Sequence, residues 1–83
     1  MWYFYILQSG KDDKLYYGST NDLRRRFNEH SQGKVSSTKH RLPIELIYYE
    51  AYLNENTARE REHTIKSSRG SRAALLKRIN IGV

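Results

Sequence analysis

Apolar residues fall into blocks along the chain, and the spacing within the blocks changes from one to the next. "WYFYIL", residues 2 to 7, is an aromatic and β-branched run, "SGKDDK" is turn material, and "LYYGS" is a second short apolar stretch. This pair predicts a β-hairpin over the first eighteen residues. A four-residue loop from Ser9 to Asp12 sets Gln8 against Asp13 and Tyr5 opposite Tyr16, with Tyr3 near Gly18. Two phenols would then stand side by side on one sheet face, whereas a slip of one residue would part them.

The next stretch, "STNDLRRRFNEHSQG", takes helical spacing. Thr20 or Asn21 can cap its start, Asp22 suits its first turn and Gly33 can stop it. Leu23 and Phe27 make the core-facing stripe, Arg26 and His30 lie on its flank at the border with solvent, and Arg24 and Arg25 point outward. "SQGKVSSTKHRLP" reads as a basic loop longer than most connections, a length usually functional or mobile. "IELIYYEAYL" predicts a third strand over residues 44 to 51. The remainder is helical. Asn54 or Thr57 can cap it, and Thr57 with Glu60 has capping-box spacing. Ala58, Glu62 and Ile65 share a stripe that puts a carboxylate among apolar neighbours, where it needs a cation, either a side chain or a metal. "SSRGS" breaks this helix, and "RAALLKRI" supplies a last short one that closes the core with Leu75, Leu76 and Ile79. The expected fold is α+β, a small three-stranded antiparallel sheet flanked by helices in the order β-β-α-β-α-α, as one domain over residues 1–83.

Composition narrows the class. With 83 residues and no cysteine, the chain has neither disulfides nor a cysteine-held zinc to staple it, which points to a reducing, cytoplasmic setting and a core that suffices alone. No apolar run approaches the roughly 20 residues a membrane span needs, and "MWYFYILQSG" lacks the basic region and cleavage site of a signal peptide. The net charge of +6 is concentrated in Arg24 to Arg26, in Lys34 to Arg41 and from Lys66 to Arg78, which makes a polyanion, and so nucleic acid, the leading partner. Taken singly, each candidate has a plain alternative. Tyr5 and Tyr16 can be cross-strand packing, Arg26 a solvated charge, His30 a cation at a helix C-terminus, and Glu62 half of a salt bridge with Arg26 or a nearby lysine.

Taken together, "YFYIL", "LYYGS", a helix ending "RRRFNEH", a strand and "REREHTIK" resemble the GIY-YIG nuclease superfamily, most of all its small standalone members related to excision-repair and homing endonucleases. The two motif halves fall on "YFY" and "YYG", Tyr17 stands in place of the second isoleucine, and Ser19 and Thr20 follow the glycine where a basic residue is often found. The resemblance implies a metal-dependent DNA endonuclease of DNA repair or recombination, structure-selective or weakly specific, that uses one Mg2+ or Mn2+. It implies that Tyr5 and Tyr16 are the motif tyrosines, Gly18 the glycine of close backbone approach, Arg26 the phosphate clamp, His30 a hydrogen-bonding or proton-transfer group, Glu62 the metal ligand, and Asn80 the counterpart of a further asparagine. Arg24, Arg25, Lys34, Lys39, His40, Arg41, Lys66 and Arg69 would grip the backbone of DNA, with RNA as the alternative and a protein partner supplying specificity. The competing reading is a non-catalytic nucleic-acid-binding module on the same fold.

Overall fold

The computed structural model describes residues 1–79. Asn80, assigned from the sequence to the site, lies outside them. The elements are β1 (Trp2–Ser9), β2 (Leu15–Thr20), α1 (Leu23–Ser31), a single 3-10 turn (Lys39–Arg41), β3 (Ile44–Tyr52), α2 (Glu55–Ser67) and α3 (Arg69–Arg78). The strands form one antiparallel sheet in the order β2-β1-β3. The expected element order holds, with β3 one residue longer than read.

The hairpin register differs from the expected one. Tyr5 pairs with Gly18, Leu7 with Tyr16 and Tyr3 with Thr20. The loop does span four residues, but it starts at Gly10, because Ser9 remains in the ladder, its N–H donating to Lys14 O at 2.9 Å. Ser9 Oγ also accepts from the backbone N–H of Lys11 at 3.0 Å, and Asp13 takes the left-handed conformation with φ 59° that closes the turn. The whole of β2 is thus displaced by two positions relative to β1. A shift of two preserves the face, so Tyr5 and Tyr16 still share it, as diagonal neighbours.

The alternation of side chains divides the sheet's two faces. Phe4 and Ile6 point to the face covered by α2 and α3, where they pack with Ile65 and Leu75 as the core, ringed by Leu15, Tyr17, Ile47, Tyr48, Tyr52, Leu76 and Ile79. Each fully buried side chain there contributes about 1.5–3 kcal/mol. Glu50 lies on the same face. Arg61 donates to both of its oxygens at 2.9 and 3.1 Å, and the hydroxyls of Tyr48 and Tyr52 donate as well. Burial works to raise its pKa, but these hydrogen bonds win and hold the carboxyl below the usual range.

The opposite face, bearing Tyr3, Tyr5, Leu7, Tyr16 and Gly18, is covered by α1 and the loop after it. Asp22 caps α1, accepting from the N–H of Arg25 at 3.1 Å, so the cap lies at the residue read as first-turn and not at Thr20 or Asn21. Thr20 is taken up in β2, where its Oγ1 accepts from the Asp22 N–H at 3.1 Å. At the other end Gly33, φ 75°, closes the helix, with Gly33 N–H on His30 O at 3.1 Å and Lys34 N–H on Glu29 O at 3.0 Å. Asn54 caps α2, accepting from Thr57 N–H at 2.9 Å, and Ser68 both ends α2 and caps α3.

The stripe expected on α1 is inverted. His30 is its one buried residue, while Leu23 and Phe27 are only partly covered. The cause is the following loop, which folds back over the C-terminal end of α1 and leaves the N-terminal end without a cover.

Candidate functional site

Tyr5 occupies the centre of β1 and is 2% exposed. Its ring leans across β2 over Gly18, where an added Cβ would stand 2.5 Å from the phenol Cζ and 3.0 Å from Cε2. Glycine at position 18 is therefore required by the neighbouring phenol itself. The Tyr5 hydroxyl meets His30 Nε2 at 3.1 Å, and the other ring nitrogen, Nδ1, is 2.7 Å from Thr38 Oγ1. Thr38 Oγ1 donates onward to Val35 O at 3.5 Å. With that proton committed, Oγ1 accepts from Nδ1–H, which leaves Nε2 to accept from the Tyr5 O–H.

His30 is fully buried. Its burial, reinforced by the nearby Arg26 charge and opposed by Glu29, lowers its pKa from 6.5 to about 4, so the ring is neutral at neutral pH. It is neither a surface proton carrier nor a charged helix cap. Tyr16 is half-exposed and faces the same ring, with centroids 5.3 Å apart at 61°, and its hydroxyl accepts from Ser37 Oγ at 3.1 Å. Arg26 pairs with Glu29 at 3.1 Å across one helical turn and lies beside Tyr5. Burial raises the Tyr5 pKa above the ordinary phenol value; Arg26 acts against that rise, and the charges of Tyr16 and Glu62 add to it. Tyr16, His30, Arg26 and Glu62 are thus all within reach of the one Tyr5 phenol.

Glu62 approaches from the other side of the sheet. It does not sit inside the apolar stripe expected of α2, because Ala58 and Ile65 are fully buried whereas the Glu62 side chain is 20% exposed at the rim. Ser19 Oγ donates to its Oε1 at 2.6 Å and Lys66 Nζ to its Oε2 at 2.5 Å. The cation the sequence demanded is therefore a lysine one turn along the same helix. Among the described residues no group of three or more His, Cys, Asp or Glu side chains converges to hold a metal. A lone carboxylate suits only an ion that draws its remaining ligands from water and substrate oxygens, as Mg2+ does. Lys66, half-exposed, is the group such an ion would displace.

Of the basic residues, Arg24, Arg25, Lys34, Lys39, His40, Lys66 and Arg69 are exposed. Arg41 is drawn away from that role by Asp12 at 3.0 Å and, like His40, helps fix the loop through its carbonyl, which accepts from Ser9 Oγ at 2.6 Å. Sequence reading did not single out Ser19, Ser37 or Thr38. Ser19 stands out in the sequence only as a departure from the family pattern; for Thr38, eight residues beyond His30, no local periodicity marks the contact.

These features define a class: small α+β domains in which tyrosines of an N-terminal hairpin meet an arginine and a histidine of the next helix, with a carboxylate from a later one. The chain belongs to the GIY-YIG family, the GIY-YIG catalytic domain pattern matching residues 1–78. A UPF0213 protein of Haloquadratum walsbyi is 39% identical over 66 residues, 78% of this chain and 73% of that one. A UPF0213 protein of Pediococcus pentosaceus is 36% identical over 83 residues, covering 98% of this chain and 86% of its own. The solution NMR structure of a UPF0213 protein from Bacillus halodurans superposes with a TM-score of 0.57 at 34% identity, over 93% of this chain and 84% of that one. Family membership makes nuclease chemistry the frame for the site. No helix among the described residues is long and apolar enough to cross a membrane.

Proposed function

We propose that this chain is a metal-dependent DNA endonuclease, structure-selective or weakly specific, with a place in DNA repair or recombination and a protein partner that directs it. One observation carries the reading: the Tyr5 phenol crosses Gly18 to a neutral, buried His30, with Tyr16 and Arg26 alongside. Packing alone does not require a buried histidine bonded at both nitrogens next to two phenols and a guanidinium.

The roles follow from exposure. Arg26 offers a planar fork to a phosphate oxygen. Tyr16, the more accessible phenol, faces the attacking water, while Tyr5 and His30 hold the pocket's shape by their shared proton. Water attacks phosphorus in line and gives its proton to the Tyr16 phenolate. The bond from phosphorus to the leaving sugar oxygen breaks, and that oxygen takes a proton from solvent. Because the base is a phenolate, the rate is expected to rise from neutral to alkaline pH. Glu62, oriented by Ser19, would hold one Mg2+ or Mn2+, which when bound supplies positive charge against the phosphate. Arg24, Arg25, Lys34, Lys39, His40 and Arg69 bind the flanking backbone.

A second reading has one observation in its favour: Glu62 is already neutralised by Lys66. On that view the chain is a non-catalytic DNA- or RNA-binding module. Nicking of supercoiled and branched DNA by wild type and Glu62→Gln, with Mg2+, Mn2+ or EDTA, separates the two. The nuclease reading expects metal-dependent cutting that the variant loses while binding in EDTA stays intact. Equal cutting by both proteins contradicts the site, and binding without cutting by either establishes the module.

A further inference from the structure

Tyr5 leans onto Gly18, away from β3, and this leaves the neighbouring part of the same sheet face without a cover. A cavity of about 570 Å3 lies there, lined by Tyr3, Tyr49, Phe27, Leu46, Arg24 and Asn21 among others. Two departures from regular structure create it. The pairing of β1 with β3 shifts register between Ile6 and Leu7, so that Tyr48 faces Ile6 while Leu46 faces Leu7. Ile47 is the extra residue, and it turns to the core on the opposite face. Leu46 and Tyr49, three apart, therefore both point into the groove, as a regular strand would not allow. The second departure is the loop after α1, which covers His30 and leaves Phe27 and Leu23 half-open.

Tyr49 is 54% exposed, and its ring meets Tyr3 edge-on with centroids 6.1 Å apart. A tyrosine left in water at the rim of an apolar groove presents a broad flat face with a polar tip. Arg24 supplies positive charge at the wall, and the rest of the arginine run continues beside it. Asp22, the opposing charge in the lining, is turned to its own helix as the cap. Tyr49 is also the backbone partner of Tyr5, so the groove adjoins the candidate catalytic cluster on the same face.

We propose that this groove is a stacking subsite for one unpaired nucleobase of single-stranded DNA, held against Tyr49 with its phosphate on Arg24. The ligand chemistry is a flat π-surface joined to an anion, which matches an aromatic face beside a guanidinium. A base inside a duplex is stacked on both sides and cannot enter. The subsite thus selects flaps, gaps, loops and frayed ends. The proposal rests on the nucleic-acid reading above but not on cleavage, since a binding module would use the groove in the same way.

The test is fluorescence anisotropy in EDTA with an end-labelled oligothymidylate and an abasic oligomer of equal length, using the Glu62→Gln chain so that nothing is cut. Tyr49→Ala is expected to weaken oligothymidylate binding about tenfold, Tyr49→Phe to keep it, and both to bind the abasic oligomer as the parent does. The proposal is overturned if Tyr49→Ala binds oligothymidylate as the parent does, if it loses the two oligomers equally, or if the parent does not prefer bases at all. Sedimentation at rising concentration reads the other occupant. A dimer that Tyr49→Ala dissociates without change in DNA binding would assign the groove to a second copy of this chain and overturn the subsite.

Discussion

His30 shows how far a single residue departs from what its position in sequence implies. On a helical wheel it lies at a border; in the fold it is buried and bonded at both nitrogens, because Thr38 returns from the loop to meet it. Its pKa of about 4 in the fold against 6.5 in the unfolded chain fixes the sign of its contribution to stability. As pH falls below 6.5 the unfolded chain takes up a proton that the folded chain refuses until about pH 4, so stability present above 6.5 is lost progressively across that interval. The urea midpoint should therefore be lower at pH 5 than at pH 7, with the difference reduced in His30→Gln. An NMR titration of His30 near 6.5 would refute this. Other residues were legible: Gly18 was marked by the tyrosines around it, and Glu62 by its place between Ala58 and Ile65. A neighbouring lysine was open as the partner of Glu62, and Lys66, four residues on along the same helix, fills that place; Ser19 could not be read as the second partner, since that contact depends on how α2 lies against β2.

At the scale of elements, the strands and helices were written in local pattern, and the errors fell where two elements meet. The hairpin slipped by two positions because Ser9 uses its Oγ to hold the turn from inside the ladder, a choice no pattern of apolar residues records. The bulge in β3 is equally silent in the run "IELIYYEAY". The loop after α1 was legible as unusually long but not as a cover. Its hold on the site is through Thr38, 1% exposed, and Ser37, exposed. Thr38→Val keeps the volume and removes the oxygen, leaving Nδ1 of His30 buried without a partner, at a cost of about 1–3 kcal/mol. Ser37→Ala removes a bond at the surface and should change stability by no more than about 0.5 kcal/mol. Urea unfolding of the two variants checks this; equal effects would mean that the loop does not depend on the His30 contact.

Across the whole molecule, edge strand β2 is the organising feature. One face of it receives the Tyr5 phenol at Gly18, and the other presents Ser19 to Glu62, so adjacent residues link the tyrosine cluster and the carboxylate around one edge. The basic residues lie on α1, on the loop after it, near the end of α2 and along α3, and most of them are exposed. The net charge of +6 attracts a polyanion, and Arg26 is the positive charge beside the Tyr5 phenol. In the proposed mechanism Tyr16 faces the reacting phosphate while Tyr5 supports it from beneath. Single-turnover cleavage of a branched oligonucleotide by Tyr16→Phe tests it most directly, because the substitution deletes one exposed hydroxyl and leaves the ring against His30. The expected rate is lower by about 10²–10⁴-fold, with DNA affinity and urea midpoint unchanged and the alkaline rise in rate lost. Cleavage at the wild-type rate with the same pH dependence would contradict it.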